Sequence, residues 1–271
     1  MRTVFFVSDS TGITAETLGN ALLAQFEGIQ YRAVTLPFIN ELRHAKEARE
    51  TIDAAFSEEA ERPLVFSTLT NPEALEAVSR SNALVLDLFS VFLRPLETEL
   101  NRGSTHAMGR FHGMVDRENY EIRIEAMDFA LNHDDGVGTH HYEHSDIILV
   151  GVSRSGKTPT CVYLAMQFGL RAANYPLTPE DLAHGGLPRV LRGHESRIYG
   201  LTIEPERLQQ IRQARRPDSS YSSLAQCHRE VRVVNEMFRQ HHIPVLDTTN
   251  MSIEEISSRI LRDTGLKRRF Y

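Results

Sequence analysis

Residues 146–158 constrain this chain more than any other stretch of its sequence. The first five, Asp-Ile-Ile-Leu-Val, predict a short buried strand of a parallel sheet. Residues 151–158 then follow the pattern Gly-x-x-x-x-Gly-Lys-Thr without a mismatch. Residues 161–168 have a helical pattern and are followed by Gly169. The order of strand, glycine-containing loop and helix predicts a loop that binds phosphate groups.

Each residue type in this loop has a chemical reason. Glycines let the backbone curl so that its N–H groups converge on phosphate oxygens, at a helix N-terminus that favours anions. The lysine can reach the terminal phosphate, and the threonine hydroxyl can bind Mg²⁺. We therefore predict Lys157 as a catalytic residue and Thr158 as a metal ligand. The predicted nucleotide-binding residues are Gly151, Val152, Ser153, Arg154, Ser155, Gly156, Lys157 and Thr158.

Size and charge limit the class of protein. The chain has 271 residues, which suggests one large or two modest domains, and 41% of them are hydrophobic, enough for a packed core. The net charge of −6 gives no general attraction to nucleic acid, so we expect no nucleic-acid partner. Residues 201–271 still carry 12 Arg and Lys against 9 Asp and Glu. That excess suits either a phosphate-handling surface or a solvated helix face.

Cysteine usage and hydropathy bear on location. The two cysteines, Cys161 and Cys227, lack metal-ligand spacing, which is typical of a protein in a reducing cytosol. No signal peptide or membrane span is visible, since the first residues lead straight into a predicted strand. We therefore expect a cytoplasmic protein with no membrane partner. The sequence allows a homodimer but does not determine the oligomeric state.

Strand and helix patterns alternate along residues 1–105, which favours an open parallel sheet. Its four strands are predicted at residues 4–7, 31–36, 63–68 and 83–87. The pattern of residues 106–144 predicts a linker, a helix and an Asp-Asp-Gly loop. Residues 145–271 predict a nucleotide-binding domain similar to small P-loop kinases. The fold class is therefore α/β, with an N-terminal open-sheet domain and a C-terminal P-loop kinase-like domain.

Polar residues follow two strands of the N-terminal domain. Ser8, Asp9, Ser10 and Thr11 come directly after the first strand, where they could cap the next helix or bind an anion. Asp87 ends the fourth strand, at the edge where ligands of such sheets gather, and it could equally be a helix cap. Both alternatives stay open from the sequence.

Two carboxylates precede the phosphate-type loop. Asp134 and Asp135 stand beside Gly136, and they could hold Mg²⁺ or accept a hydroxyl proton. The alternative is a capped turn before a flexible segment. We predict a catalytic role. The nearby histidines do not favour a metal site. His106 and His112 are poorly spaced for metal binding, and His140, His141 and His144 are interpreted as surface residues.

Arginines cluster on a predicted helix at residues 206–216. In small P-loop kinases, arginines of a mobile lid neutralise the transferring phosphoryl group, and Arg212, Arg215 and Arg216 are the candidates. A solvated helix face is the alternative interpretation. No predicted strand ends cleanly in the aspartate that usually assists magnesium binding, although Asp87 and Asp247 approximate it.

Eight motifs spread over the chain belong together: residues 6–17, 35–38, 133–136, 151–160, 163–166, 171–176, 200–202 and 253–256. Among them, the Thr-Pro-Thr that extends the loop after the lysine is more specific than the bare loop pattern. Together these motifs resemble one known family, the bacterial phosphoenolpyruvate synthase regulatory proteins, relatives of the plant pyruvate, phosphate dikinase regulatory protein.

The resemblance implies an unusual pair of reactions. Members of this family use ADP, not ATP, to phosphorylate a threonine near the catalytic histidine of the target enzyme, which inactivates the target. The same protein reverses the modification with inorganic phosphate and releases pyrophosphate. From the resemblance we expect ADP, inorganic phosphate and Mg²⁺ as small-molecule partners and phosphoenolpyruvate synthase as the protein substrate.

The sequence thus predicts an ADP-dependent threonine kinase and phosphate-dependent pyrophosphorylase, with Lys157, Asp134, Asp135 and Arg215 as catalytic residues. The same chemistry could act on pyruvate, phosphate dikinase. Two further alternatives are an ATP-dependent small-molecule kinase and a nucleotide-sensing module without catalysis. Use of ADP as the phosphoryl donor separates the first from the prediction, and labelling of a protein target separates the second.

Overall fold

A computed structural model describes residues 1–59, 61–105, 117–217 and 219–269. The chain divides into two compact units, Met1–Gly113 and Met114–Tyr271. Each unit contains a four-stranded sheet in which all paired strands are parallel. The predicted α/β fold with two sheet domains is therefore confirmed. The predictions for His106 and His112 lie outside the described residues.

The first unit alternates strands and helices, and its sheet has the order β2-β1-β3-β4. All four predicted strands are confirmed, with small differences at their ends. The sequence analysis missed the fourth helix, which begins directly after a strand and contains Pro95, a residue that disfavours a helix interior. The elements are β1 Arg2–Val7, α1 Ile13–Leu23, β2 Tyr31–Leu36, α2 Leu42–Glu58, β3 Leu64–Ser67, α3 Pro72–Ser79, β4 Leu84–Asp87 and α4 Leu88–Leu100.

The central strand β1 of this unit is buried on both faces. Val4 and Phe6 pack into one hydrophobic cluster, and Phe5 and Val7 pack into another on the opposite face. This alternation follows from the two-residue period of a strand. Helices on both faces explain why the strand reads as a continuous apolar run.

The polar turn after β1 forms internal contacts. The carboxylate of Asp9 accepts hydrogen bonds from the backbone N–H and the hydroxyl of Thr70, at 3.0 and 2.6 Å. The N-cap of α1 is Gly12, which makes no side-chain capping bond, so residues 8–11 do not cap this helix, and the alternative of anion binding there stays untested. Asp87 does act as a cap, because its carboxylate accepts from the backbone N–H groups of Phe89 and Ser90.

The second unit has the strand order β6-β5-β7-β8, so β5 lies between two neighbours. Its helices and strands are α5 Arg117–Asn132, β5 Ile147–Gly151, α6 Lys157–Phe168, β6 Ala172–Pro176, α7 Pro179–His184, β7 Ile198–Thr202, α8 Pro205–Arg215, α9 Leu224–Gln240, β8 Val245–Asp247 and α10 Ile253–Thr264. Short 3-10 helices cover Thr139–His144, Arg189–Leu191, Glu195–Arg197 and Ser220–Ser222.

Strand β5 is the centre of this unit's core. Ile148 and Val150 face one buried cluster, while Ile147 and Leu149 face the other. Strands β6 and β7 pair with its two edges, so the chain runs from β5 to β6 on one side and then crosses to β7 on the other side. A crevice forms at the carboxyl end of such a strand, and ligands of open α/β sheets bind there.

Helix α5 and the Asp-Asp-Gly loop pack within the second unit. Ala126 and Ala130 of α5 are buried in the same cluster as Leu164 and Ala165 of α6. The segment that the sequence analysis placed between two domains thus contributes to the core around β5. Among the described helices, none combines the length and the apolar composition required to cross a membrane.

Candidate functional site

The loop after β5 has a backbone that favours glycine at two points. A Cβ atom at Gly151 would lie 2.2 Å from the carbonyl oxygen of Leu201, so a larger residue would push against β7. Gly156 is the N-cap of α6 at φ 87°, in the left-handed region where glycine has no steric penalty. Arg154 also has a positive φ, 78°, which is uncommon for a residue with a side chain.

Lys157 is a buried cation at the start of α6. Only 4% of its surface is exposed, and its Nζ donates to the carbonyl oxygen of Val152 at 2.8 Å. Burial lowers the pKa of Lys157 to about 8, and the negative charges of Asp135 and Asp134 oppose this shift. Binding of a phosphate would supply a further negative charge, which favours the protonated amine.

Thr158, Asp134 and Asn174 form a closed set of hydrogen bonds. The Thr158 hydroxyl donates to Asp134 Oδ1 at 2.8 Å. Asn174 Nδ2 donates to the Thr158 hydroxyl oxygen at 2.8 Å and also to Asp134 Oδ1. Asn174 is 1% exposed, and its Oδ1 has no hydrogen-bond partner within the part of the chain that the structure describes.

Backbone hydrogen bonds fasten the Asp-Asp-Gly loop to β6. The N–H of Asn174 donates to the carbonyl of His133, and the N–H of Gly136 donates to the carbonyl of Asn174, both at 3.0 Å. Asp135 and Gly136 both have positive φ, 50° and 76°. The loop is therefore held along the sheet edge, with Asp134 half-buried and Asp135 exposed.

A cleft of about 250 Å³ lies over the loop. Its walls bring a carboxylate of the Asp-Asp-Gly loop to the same space as the buried lysine. The lining residues are Asp135, Ser153, Arg154, Gly156, Lys157, Thr158, Pro159 and Pro176. Six of these eight belong to the residues predicted from the sequence as site residues. The structure thus brings the two predicted parts of the site together, although their roles stay predictions.

The arginines of α8 do not share one environment. Arg212 is 1% exposed and forms an ion pair with Glu230 at 2.7 Å. The structure thus places Arg212 in a fixed buried contact, which differs from the mobile lid that the sequence suggested. Arg215 and Arg216 are exposed, and neither is among the described residues that line the cleft. Their proposed closing movement stays a prediction.

Sequence reasoning missed Asn174. A polar residue in the middle of a strand that is otherwise apolar was the available signal, because buried amides are usually retained for a hydrogen-bonding task.

Asp247, which only approximated a magnesium helper in the sequence, accepts hydrogen bonds from the backbone N–H and the hydroxyl of Thr249.

The histidine-rich segment before β5 is a short 3-10 helix. His140, His141 and His144 are exposed there, as expected for surface residues. Ligand atoms of His141, Glu143 and His144 lie within 4.8 Å of one another. All three residues are exposed, and such exposed groups are common without a metal, so the structure agrees with their interpretation as surface residues.

The fold and the site define the class of protein. A buried lysine at the carboxyl end of a central parallel strand, beside a carboxylate pair, is an arrangement suited to phosphoryl transfer, and the class is that of the phosphotransferases. Residues 4–261 match the family described as kinase/pyrophosphorylase, and the chain belongs to this family.

Relatives match almost the full chain. A protein of Pseudomonas fluorescens is 50% identical over 99% of both chains. Proteins of Marinobacter nauticus and Legionella pneumophila are each 51% identical, over 98% and 99% of both chains. All three carry provisional names as phosphoenolpyruvate synthase regulatory proteins.

Proposed function

We propose that this protein is an ADP-dependent threonine kinase and phosphate-dependent pyrophosphorylase that regulates phosphoenolpyruvate synthase. The observation that carries the proposal is the placement of Lys157 and Asp135 in one cleft over the loop. Membership of the kinase/pyrophosphorylase family and the names of the relatives support the reaction class and the target.

In this proposal, the loop and the start of α6 bind the diphosphate. Backbone N–H groups of the loop supply donors that recognise a diphosphate without requiring the adenosine, although the N–H of Ser155 already donates to the carbonyl oxygen of Val152 at 3.3 Å. Lys157 adds a positive charge where negative charge moves during the transfer. Both ADP and pyrophosphate contain a diphosphate, so a single loop can serve the two opposing reactions.

Oxygen atoms suited to Mg²⁺ meet beside the loop. Mg²⁺ prefers oxygen ligands, and the Thr158 hydroxyl and the Asp134 carboxylate lie within hydrogen-bond distance of each other. Asn174 Nδ2 donates to both of these oxygens and so holds them beside each other. Thr158 and Asp134 would hold the ion, which when bound neutralises charge on the phosphates.

Asp135 is the proposed general base, because its side chain faces the cleft while Asp134 is engaged with Thr158. In the kinase direction, the substrate threonine oxygen attacks the terminal phosphorus of ADP. The bond to the bridging oxygen breaks, AMP leaves, and the hydroxyl proton passes to Asp135. In the reverse direction, inorganic phosphate attacks the phosphothreonine phosphorus and leaves as pyrophosphate, and the threonine oxygen regains a proton.

Mass spectrometry of phosphoenolpyruvate synthase, incubated with this protein and ADP, tests the proposal. We expect a new phosphothreonine near the catalytic histidine of the synthase, and its loss on addition of inorganic phosphate. Parallel incubations contain ATP in place of ADP, or pyruvate, phosphate dikinase in place of the synthase. Labelling with ATP but not with ADP would contradict the proposed phosphoryl donor. Labelling of the dikinase but not of the synthase would contradict the proposed target, and labelling of neither protein would contradict the proposed catalysis.

A further inference from the structure

Arg212 on α8 is a buried charge that the chemistry above does not use. Its Nη2 atom lies 2.7 Å from Glu230 Oε2 and donates to the carbonyl oxygen of Ser153 at 3.2 Å. Its Nη1 atom donates to the carbonyl oxygen of Tyr221 at 3.1 Å. A charge buried this deeply needs such partners. One of the partners is the backbone of the phosphate-type loop itself.

Ser153 is held at a second atom as well. Its hydroxyl lies 3.0 Å from the hydroxyl of Tyr221, whose ring stacks on the Arg212 guanidinium with 4.2 Å between the guanidinium carbon and the ring centroid. The other carboxylate oxygen of Glu230 accepts from Gln226 Nε2 at 2.9 Å. Residues on α8, on α9 and on the turn between them thus fix both the carbonyl and the side chain of Ser153.

The peptide group after this carbonyl has a defined direction. Among the described residues no peptide bond is cis, so the carbonyl of Ser153 and the N–H of Arg154 point in opposite directions. The carbonyl points to Arg212, which does not line the cleft. The N–H of Arg154 is therefore directed away from Arg212, and both Ser153 and Arg154 line the cleft.

The backbone of Arg154 has a positive φ, which an L-residue adopts only when its surroundings hold it there. Rotation of the Ser153–Arg154 peptide plane would change φ of Arg154 from 78° towards the negative values that L-residues prefer. The same rotation would turn the Ser153 carbonyl towards the cleft, where its partial negative charge would oppose a phosphate. The rotation would also break the hydrogen bond from Arg212 to the Ser153 carbonyl.

We propose that Arg212 is a positioning residue, which keeps the N–H of Arg154 turned towards the diphosphate. Glu230 and Tyr221 hold the guanidinium in place for this task. The inference rests on the proposed diphosphate site, and it assigns Arg212 a role different from that of a lid arginine, because the residue acts through the loop backbone.

Arg212→Lys is the principal test, measured as pyrophosphate affinity by titration calorimetry with Mg²⁺ present. Lysine keeps a positive charge opposite Glu230, but a single ammonium lacks the planar fork that reaches two carbonyl groups at once. We expect pyrophosphate to bind at least ~10-fold more weakly, about 1.4 kcal/mol. The matched control is Arg207→Lys, an exposed arginine of the same helix, with affinity within about twofold of wild type.

A second pair of variants separates positioning from a general loss of structure. Tyr221→Phe removes the hydroxyl contact to Ser153 while retaining the ring, and we expect a smaller but measurable weakening. In an Arg154→Gly background, Arg212→Lys should weaken pyrophosphate binding less than it does in the wild-type background, because glycine adopts positive φ without strain. A smaller effect of this kind would not follow from a merely structural role.

The outcomes distinguish this role from the underlying site. Wild-type affinity in a folded Arg212→Lys variant would overturn the positioning role. If that variant does not fold, an unchanged affinity in Tyr221→Phe would overturn it instead. Failure of the wild-type protein to bind both pyrophosphate and ADP would remove the diphosphate site itself, and this inference with it.

Discussion

The Thr158 hydroxyl donates to the Asp134 carboxylate at 2.8 Å, although 24 residues separate them in sequence. Asn174 donates to both groups and closes the set. This contact engages the Asp134 carboxylate, whereas Asp135 lines the cleft.

Replacement of each carboxylate should therefore have a different effect. Asp135→Asn is expected to slow threonine phosphorylation by ~10²–10⁴-fold, the usual contribution of a general base, with ADP affinity almost unchanged. Asp134→Asn should instead raise the Mg²⁺ concentration needed for half-maximal rate. Initial rates at several Mg²⁺ concentrations, with calorimetric ADP affinities, separate the two. An Asp135→Asn rate above a tenth of wild type would exclude Asp135 as the base.

Lys157 should be essential in both reaction directions. Lys157→Ala removes the charge that stabilises the transferring phosphoryl group, and we expect a loss of at least ~100-fold, about 2.7 kcal/mol of transition-state stabilisation. The check is the initial rate of phosphorylation with ADP and of dephosphorylation with phosphate, alongside circular dichroism. A folded variant with more than a tenth of the wild-type rate in either direction would contradict this role.

The same lysine should reduce stability at neutral pH. Its pKa is lowered from 10.5 in the unfolded chain to about 8 by burial, so between these values the unfolded state binds more protons. The free energy of unfolding attributable to this group therefore rises with pH over that window, and the cost is greatest below it. Lys157→Met should stabilise the ligand-free protein by up to ~3 kcal/mol near pH 7. Denaturant unfolding should show that gain shrink towards about pH 10, and a constant gain would contradict the shifted pKa.

Gly156→Ala should weaken both reactions together, because one loop is proposed to serve both. A Cβ atom at this position would have Ile256 Cδ1 as its nearest side-chain neighbour, at 4.0 Å, so space is available and the obstacle is the backbone at φ 87°. A left-handed L-residue costs ~1–2 kcal/mol, and relaxation would displace the loop N–H groups. Paired kinase and dephosphorylation assays measure the effect. Loss of the kinase alone would require a second site.

Gly151→Ala is the matched comparison for this prediction. Its Cβ would meet the Leu201 carbonyl at 2.2 Å, so the substitution should lower the thermal midpoint of unfolding more than Gly156→Ala does.

Arg215 is the exposed arginine best suited to test the lid hypothesis. If it closes over the nucleotide, Arg215→Ala should reduce the rate of transfer more than it weakens ADP binding, since the contact strengthens as charge develops. Arg207→Ala on the same helix is the control. Equal turnover in the two variants would place Arg215 on a solvated face.

Local patterns predicted most of the fold. The strands of both sheets and the helix after the loop follow from apolar periodicity and from glycine and proline positions, which depend on residues near in sequence. Helix α4 was missed because it begins directly after β4 and contains Pro95, a residue that disfavours a helix interior.

The sequence by itself determined the loop, its lysine and threonine, and the α/β alternation, because each of these features depends only on residues that are close together in the sequence. Only the tertiary structure decided that Asn174, rather than a nearer residue, joins Asp134 to Thr158, since backbone hydrogen bonds between the Asp-Asp-Gly loop and β6 bring residues 40 positions apart into contact. The tertiary structure also placed Arg212 inside the second unit, where it forms a buried ion pair with Glu230. Periodicity records which face of an element is apolar, whereas the partner of a polar side chain depends on which elements become neighbours.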